Sequence, residues 1–122
     1  LDAQKKEKDS RANAAFEAGE YFAAIDLYKN AFTKVSDNEK KAEIVFKIGE
    51  CYRITGEARQ AAMRYRQAIQ LDYQDPVTYL RYGQSLMRYE KFEDADQSEN
   101  DFQELFAKEF SIAYEKQLDQ LK

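Results

Sequence analysis

The feature that most constrains the fold of this chain is an internal repeat with a spacing of 34 residues. Residues 42–75 carry apolar side chains at helical spacing on both sides of Gly56, which indicates two short helices joined by a turn. Four of these residues have counterparts 34 positions later: Val45 and Tyr79, Ile48 and Tyr82, Gly49 and Gly83, Ala61 and Ala95. Five have counterparts 37 positions earlier: Gly56 and Gly19, Ala61 and Ala24, Tyr65 and Tyr28, Ala68 and Ala31, Ile69 and Phe32. The pattern therefore predicts stacked helix pairs that share one continuous core.

Many of the repeated residues are either small or aromatic. The small residues allow two helices to approach closely, and the aromatic side chains fill the space that remains. The small ones are Ala12, Gly49 and Gly83 in the first helices and Ala24, Ala61 and Ala95 in the second helices; the large ones are Tyr28, Tyr52, Tyr65 and Tyr79. This arrangement resembles the tetratricopeptide repeat (TPR) over roughly residues 5–102. The resemblance implies an all-α, right-handed superhelical array of antiparallel helix pairs. We expect a single domain spanning 1–122, with repeats at about 5–38, 42–75 and 76–102 and a capping helix at 103–122.

Several helix ends can be predicted from local signals. The first helix is expected over about residues 5–18, with Gly19 ending it, and the second over residues 21–34. Ser36 followed by Glu39 has the form of a capping box and predicts that the third helix starts near Asp37. Asp75 before Pro76 predicts that the fifth helix starts at Pro76, and we expect it to end at about residue 89.

The repeat pattern fades after Ala95. Residues 92–107 contain six acidic residues and no basic one, with Asp96 and Glu99 where an apolar and an aromatic residue are expected. An amphipathic helical pattern then returns, formed by Phe102, Leu105, Phe106, Phe110, Ala113, Tyr114, Leu118 and Leu121. Three interpretations of this tail stay open: a helix that caps the array, a face that meets another copy or a partner, and a sequence from which a stretch of chain is missing.

The composition argues against catalysis. The chain contains no histidine, and Cys51 has no second cysteine in a redox or metal-binding motif, so we predict no catalytic residues, no metal site and no cofactor. The glycines fit no phosphate-binding loop. A net charge of −4 gives no general attraction to nucleic acid, and no apolar run approaches the roughly 20 residues that span a bilayer. We therefore expect no nucleic-acid binding and no direct membrane insertion.

The resemblance to TPR proteins implies a binding surface on the concave face, which the first helix of each unit lines. The positions carried over by register are Asn13, Phe16 and Glu17 in unit one, Phe46, Glu50, Arg53 and Ile54 in unit two, and Leu80, Gln84, Met87 and Arg88 in unit three. Arg53 and Arg88 are suited to pair with a carboxylate of a protein or peptide segment, and the apolar members offer hydrophobic contact.

TPR domains that bind the C-terminal carboxylate of chaperones use a lysine and an asparagine in the first unit, an asparagine in the second, and a lysine and an arginine in the third. The matching positions here hold Asp9, Asn13, Lys47, Val77 and Arg81. Only Asn13 and Arg81 fit, and Asp9 reverses a charge. We predict that the chain does not bind chaperone tails.

Residues 40–95 also resemble the TPR module of PorE-like, OmpA-family envelope proteins of the type IX secretion system. The cues are the segments AEIVFKIGECYR, YQDP and YEKFEDA. The resemblance implies a module of a larger periplasmic protein, acting as a non-catalytic scaffold or adaptor in a cell-envelope secretion machine. A cytoplasmic location is the alternative. A different function, self-association as a homo-oligomer through the C-terminal amphipathic helix, is the second hypothesis.

Overall fold

The structure, a computed structural model, describes residues 2–92 and, beyond them, residues 108, 111, 112, 114–116, 118 and 119. Residues 2–92 contain the helices α1 (Asp2–Glu17), α2 (Tyr21–Lys34), α3 (Asn38–Ile54), α4 (Ala58–Gln70) and α5 (Val77–Phe92). The described residues near the C-terminus are helical as well. All secondary structure in the described ranges is therefore α-helical, which confirms the predicted all-α class. The predicted second helix of unit three, around Ala95, and most of the predicted capping helix at 103–122 lie outside the described residues.

Three helices end in the same backbone motif, in which one residue adopts a left-handed conformation. That residue is Gly19 after α1, Gly56 after α3 and Asp72 after α4, with φ of +79°, +87° and +64°. In each case the next N–H donates to the carbonyl five residues earlier, at 2.9, 2.8 and 3.0 Å respectively. Glycine adopts this conformation without steric cost, and aspartate tolerates it better than most residues. The predicted turns at Gly19 and Gly56 are confirmed.

The start of α3 differs in one detail from the prediction. The side chain of Asp37, rather than that of Ser36, caps the helix by accepting a hydrogen bond from the backbone N–H of Glu39 at 3.3 Å. The predicted capping box from Ser36 is therefore wrong, although the helix does begin at the predicted place. Asp37 has the extended backbone that an N-cap residue requires, with φ of −72° and ψ of 123°.

The cap of α5 matches the prediction more closely. The carboxylate of Asp75 accepts a hydrogen bond from the backbone N–H of Val77 at 3.1 Å. The helix begins at Val77 instead of Pro76, and it ends at Phe92, three residues later than expected. α1 likewise begins at Asp2, before the predicted start near residue 5.

The five helices pack in the order of the sequence, and α3 contributes to two hydrophobic cores. One face of α3 places Ile44, Ile48 and Cys51 in a core with α1 and α2. A second face of α3 places Val45 and Phe46 in a core with α4 and α5. This sharing is typical of stacked repeats, in which each unit buries its apolar surface against its neighbours.

The closest approach between α3 and α4 depends on a glycine. A Cβ atom at Gly49 would lie 2.9 Å from Cε1 of Tyr65, whose side chain is fully buried. The predicted pairing of a small residue with a large one is therefore confirmed at this position. It brings the two helices close enough for the Tyr65 hydroxyl to reach the side chain of Glu50, the residue after Gly49 on α3.

None of the described helices is both long enough and sufficiently apolar to span a lipid bilayer.

Candidate functional site

A tyrosine of the second helix binds a polar residue of the first helix in each of the first two units. The hydroxyl of Tyr28 donates to Oδ1 of Asn13, and the hydroxyl of Tyr65 donates to Oε1 of Glu50 at 2.5 Å. Both members of the second pair lie 37 positions after their counterparts. The structure therefore gives two predicted groove residues, Asn13 and Glu50, an equivalent hydrogen bond from a tyrosine.

Both tyrosines remain protonated donors in these pairs. Burial raises the pKa of Tyr28 well above its ordinary value, and nearby acidic groups raise it further. Burial also raises the pKa of Tyr65, and the hydrogen bond to the Glu50 carboxylate adds to the shift because a phenolate could not donate it.

The Glu50 carboxylate is the centre of an ion cluster that joins α3, α4 and α5. Arg53 donates to it twice, from Nε to Oε1 at 3.3 Å and from Nη2 to Oε2 at 3.1 Å. Nε of Arg81 on α5 lies 3.4 Å from Oε1, an ion pair without hydrogen-bond geometry. With the Tyr65 hydroxyl, three helices contribute to a carboxylate whose side chain is only 13% exposed.

The cluster determines the charge state of Glu50. Burial by itself raises the pKa of this carboxyl group. The hydrogen bonds from Arg53 and Tyr65, together with the charges of Arg53 and Arg81, outweigh that effect and hold the pKa below its ordinary value of 4.5. Glu50 is therefore ionised at neutral pH, and its own hydrogen bonds to Arg53 raise the pKa of that guanidinium group.

A depression of about 470 Å³ opens between the end of α3 and the middle of α5. The described residues that line it are Arg53, Gln84, Ser85, Met87 and Arg88. We call this depression the α3–α5 groove. All but Ser85 belong to the predicted partner-binding set, so the structure brings together four of those residues from two units.

Two further predicted contacts lie on the helices that form this groove: Leu80 on α5 and Ile54 on α3. Leu80 is 54% exposed and Met87 is 70% exposed on α5, and Ile54 at the end of α3 is 41% exposed. Leu80, Gln84, Met87 and Arg88 follow one another at spacings of four, three and one, which places them on one face of α5.

Phe46 is the predicted partner contact that differs most from expectation. Its side chain is 7% exposed, and its ring packs against Tyr65 and Tyr73 with centroid distances of 5.7 and 5.1 Å. A residue with so little accessible surface contributes to the core rather than to an open groove. We therefore correct the sequence prediction for Phe46: it is a core residue, and we do not retain it as an apolar anchor for a partner.

The predicted residues of unit one lie apart from the α3–α5 groove. Asn13 is exposed and accepts the hydrogen bond from Tyr28, and Glu17 is exposed at the end of α1. Phe16 is half-buried, packs edge-on against Tyr21 at 5.5 Å, and carries Nζ of Lys47 4.9 Å from its ring centroid. Phe16 and Lys47 therefore connect α1 to α3 by a cation–π contact.

An ion pair with a buried carboxylate was not predicted from the sequence. Nζ of Lys40 lies 2.7 Å from Oδ2 of Asp9, which is 4% exposed at the residue level. Burial by itself lowers the pKa of Lys40, but the hydrogen bond from the ammonium group to Asp9 and the nearby Glu43 charge raise it overall. Asp9 occupies a chaperone-clamp position by register, and its carboxylate is engaged within the protein. The prediction that chaperone tails do not bind remains a prediction.

Tyr65, predicted only as a packing residue, and Arg81 and Ser85 are the residues at this site that were missing from the predicted partner-binding set. Arg81 shares its register with Lys47, 34 positions earlier, so the repetition of a cation was a signal in the sequence. Ser85 has the same register as Cys51, so the sequence gave no reason to expect it at a groove. In the structure Cys51 is buried and Ser85 is 2% exposed.

The described residues offer little for metal or thiol chemistry. They contain no group of three or more acidic, histidine or cysteine residues able to hold a metal ion. Cys51 is fully buried, and burial raises the pKa of its thiol to about 11, with the Glu50 charge adding to the shift. A thiol in this state reacts slowly as a nucleophile at neutral pH.

Comparison with known proteins finds no matching family model, no matching curated protein and no matching solved structure.

Proposed function

We propose that this chain is a non-catalytic, TPR-type protein-interaction module whose α3–α5 groove receives a segment of another protein. The observation that carries the proposal is the groove itself, where the exposed Met87 lies beside two guanidinium groups from successive units. Apolar surface beside charged donors suits a protein segment, because the first supplies affinity and the second fixes register. The equivalent Tyr28–Asn13 and Tyr65–Glu50 contacts support a true structural repeat.

The biological setting that we propose is a bacterial envelope assembly associated with type IX secretion. Its support is the sequence resemblance of residues 40–95 to PorE-like modules, with the YQDP segment at the start of α5 among the cues. In this setting the chain acts as a periplasmic adaptor that docks one envelope component on another.

Site-specific crosslinking tests the groove. A photoreactive phenylalanine analogue replaces Met87 in one variant and Met63 in the control variant, because both methionines are more than half exposed and Met63 lies on α4, outside the groove lining. We expect a discrete crosslinked protein from a bacterial envelope fraction at position 87 and none at position 63. Equal crosslinking at both positions would contradict the assignment of the groove.

Self-association is a second candidate, and exposed apolar residues near the C-terminus favour it. Ile112, Tyr114 and Leu118 are 58%, 51% and 43% exposed. Ile112 and Lys116 also line a depression with Tyr79 and Tyr82 of α5, and Nζ of Lys116 lies 3.9 Å from Asp72. The exposed apolar surface of these residues near the C-terminus is suited to contact a second copy of the chain.

Light scattering over a concentration series tests this candidate. Self-association through the segment predicts a molar mass that rises with concentration and returns to that of the monomer, 14.3 kDa, in a Tyr114→Glu, Leu118→Glu variant. A constant monomer mass for the parent chain at high concentration would exclude it.

A further inference from the structure

We propose that the α3–α5 groove selects segments that carry an aspartate or glutamate side chain next to an apolar residue. This inference rests on the proposed protein-binding function and specifies the chemistry of the partner. The carboxylate that the groove binds belongs to a side chain within the partner's sequence, so the partner needs no free chain terminus.

The first support is the local charge. The described lining contains two guanidinium groups and no carboxylate, in a chain whose net charge is −4. The neighbouring Glu50 carries one negative charge, while Arg53, Arg81 and Arg88 together carry three positive charges. These four described residues therefore carry an excess of two positive charges, which an acidic side chain of a partner would reduce.

The second support is a difference between the two arginines of the lining. Nε and Nη2 of Arg53 already donate to Glu50, so this guanidinium is held in place, and the two N–H groups of its Nη1 take no part in these bonds. Arg88 is exposed on α5 and lines the same depression. We assign Arg88 as the principal donor to the partner carboxylate and Arg53 as a preorganised second cation.

The third support is the apolar surface beside these charges. Met87 is adjacent to Arg88 in sequence and, at 70%, is the most exposed large apolar side chain among the residues that the structure describes. Leu80 lies seven residues earlier on the same face of α5 and is 54% exposed. Methionine adapts to varied apolar shapes, so this surface favours an apolar neighbour of the acidic residue without demanding one residue type.

Binding of a defined peptide library tests the inference. Each nine-residue peptide, acetylated and amidated to remove terminal charges, has a central glutamate flanked by leucine, methionine or phenylalanine and is paired with its glutamine counterpart. Fluorescence anisotropy measures their affinity for the parent chain, for Arg88→Gln and for the control Arg11→Gln. Arg11 is exposed on α1 and its loss changes the net charge equally, so the control separates the groove from general electrostatics. Circular dichroism verifies that both variants are folded.

We expect the best glutamate peptides to bind about tenfold more tightly than their glutamine counterparts, as one charge-assisted hydrogen bond to a carboxylate provides. Arg88→Gln should abolish this preference, and Arg11→Gln should retain it. If peptides bind without a preference for glutamate and lose affinity in a Met87→Ser variant, the inference fails while the proposed binding function stands. If no peptide binds the parent chain and position 87 crosslinks to no protein, both fail.

Discussion

Replacement of Gly49 by alanine tests the packing that brings α3, α4 and the Glu50 cluster together. The added Cβ would lie 2.9, 3.0 and 3.3 Å from three ring atoms of Tyr65. Carbon atoms in contact normally lie about 3.5–4.0 Å apart, so the ring has to move by about half an ångström or more. The Tyr65 side chain is fully buried, and its hydroxyl is bound to Glu50 at 2.5 Å, so this movement has little room.

The expected magnitude follows from opposing terms. Alanine favours a helix over glycine by about 1 kcal/mol, whereas overpacking a core costs about 1–3 kcal/mol. A displaced Tyr65 ring also weakens a hydrogen bond to a charged group, which contributes about 1.5–3 kcal/mol when intact. We therefore expect Gly49→Ala to lower the free energy of unfolding by about 1–3 kcal/mol, net of the helix preference.

Urea denaturation followed by circular dichroism measures this change, and a double-mutant cycle with Tyr65→Leu isolates its cause. In the Tyr65→Leu background the ring is absent, so Gly49→Ala should be neutral or stabilising by up to about 1 kcal/mol. A Gly49→Ala variant as stable as the parent would refute the reasoning. An equal loss in both backgrounds would show that Tyr65 is not the obstacle.

Three further predictions concern the same described region. Because the pKa of Glu50 is lower in the folded protein than in the unfolded chain, the unfolded chain takes up the proton first as the pH falls. The stabilisation that ionised Glu50 contributes is therefore present above pH 4.5 and is lost below it. Urea titrations over a pH series should show that the stability difference between the parent and Glu50→Gln shrinks below that pH, whereas a constant difference would contradict the assignment. Gly56→Ala should lower the free energy of unfolding by about 1–2 kcal/mol, because alanine adopts a left-handed conformation at a cost; an unchanged urea midpoint would argue against this. The buried thiol of Cys51, whose pKa is raised to about 11, should resist alkylation by iodoacetamide in the folded protein and react in guanidinium chloride, as mass spectrometry detects; equal rates would show that it is accessible.

The helices and their shared cores were predictable because the repeated spacing of small and aromatic residues reflects how the helices pack. A glycine at fixed spacing from a tyrosine indicates a close helix contact, and Gly49 against Tyr65 confirmed it. The N-cap of α3 was less predictable, since Ser36 and Asp37 are both good capping residues. The structure shows that Asp37 has the extended backbone of an N-cap residue and accepts the hydrogen bond.

The polar contacts of the site were beyond the sequence pattern for a different reason. Tyr65 lies 15 residues after Glu50, and Arg81 lies 31 residues after it, so these groups meet only once the units are stacked. Hydrophobic periodicity identifies which side chains are buried, but it does not show which charged groups converge. Glu50 was therefore predicted as a partner contact, whereas the structure shows its carboxylate bound to neighbouring side chains. The burial of Phe46 has the same origin, because Tyr73 approaches its ring from the connection before α5.

In the third unit, the position equivalent to Asn13 and Glu50 lies in the α3–α5 groove. Asn13 in unit one and Glu50 in unit two each accept a hydrogen bond from a tyrosine 15 residues later. The equivalent residue in unit three is Gln84, and the sequence position 15 residues after it holds Glu99 instead of tyrosine. An aromatic donor of the kind that engages the first two positions is thus missing from the third unit at this register. Gln84 is exposed and lines the α3–α5 groove. The surface that we assign to a partner therefore coincides with the place where the repeat loses the tyrosine.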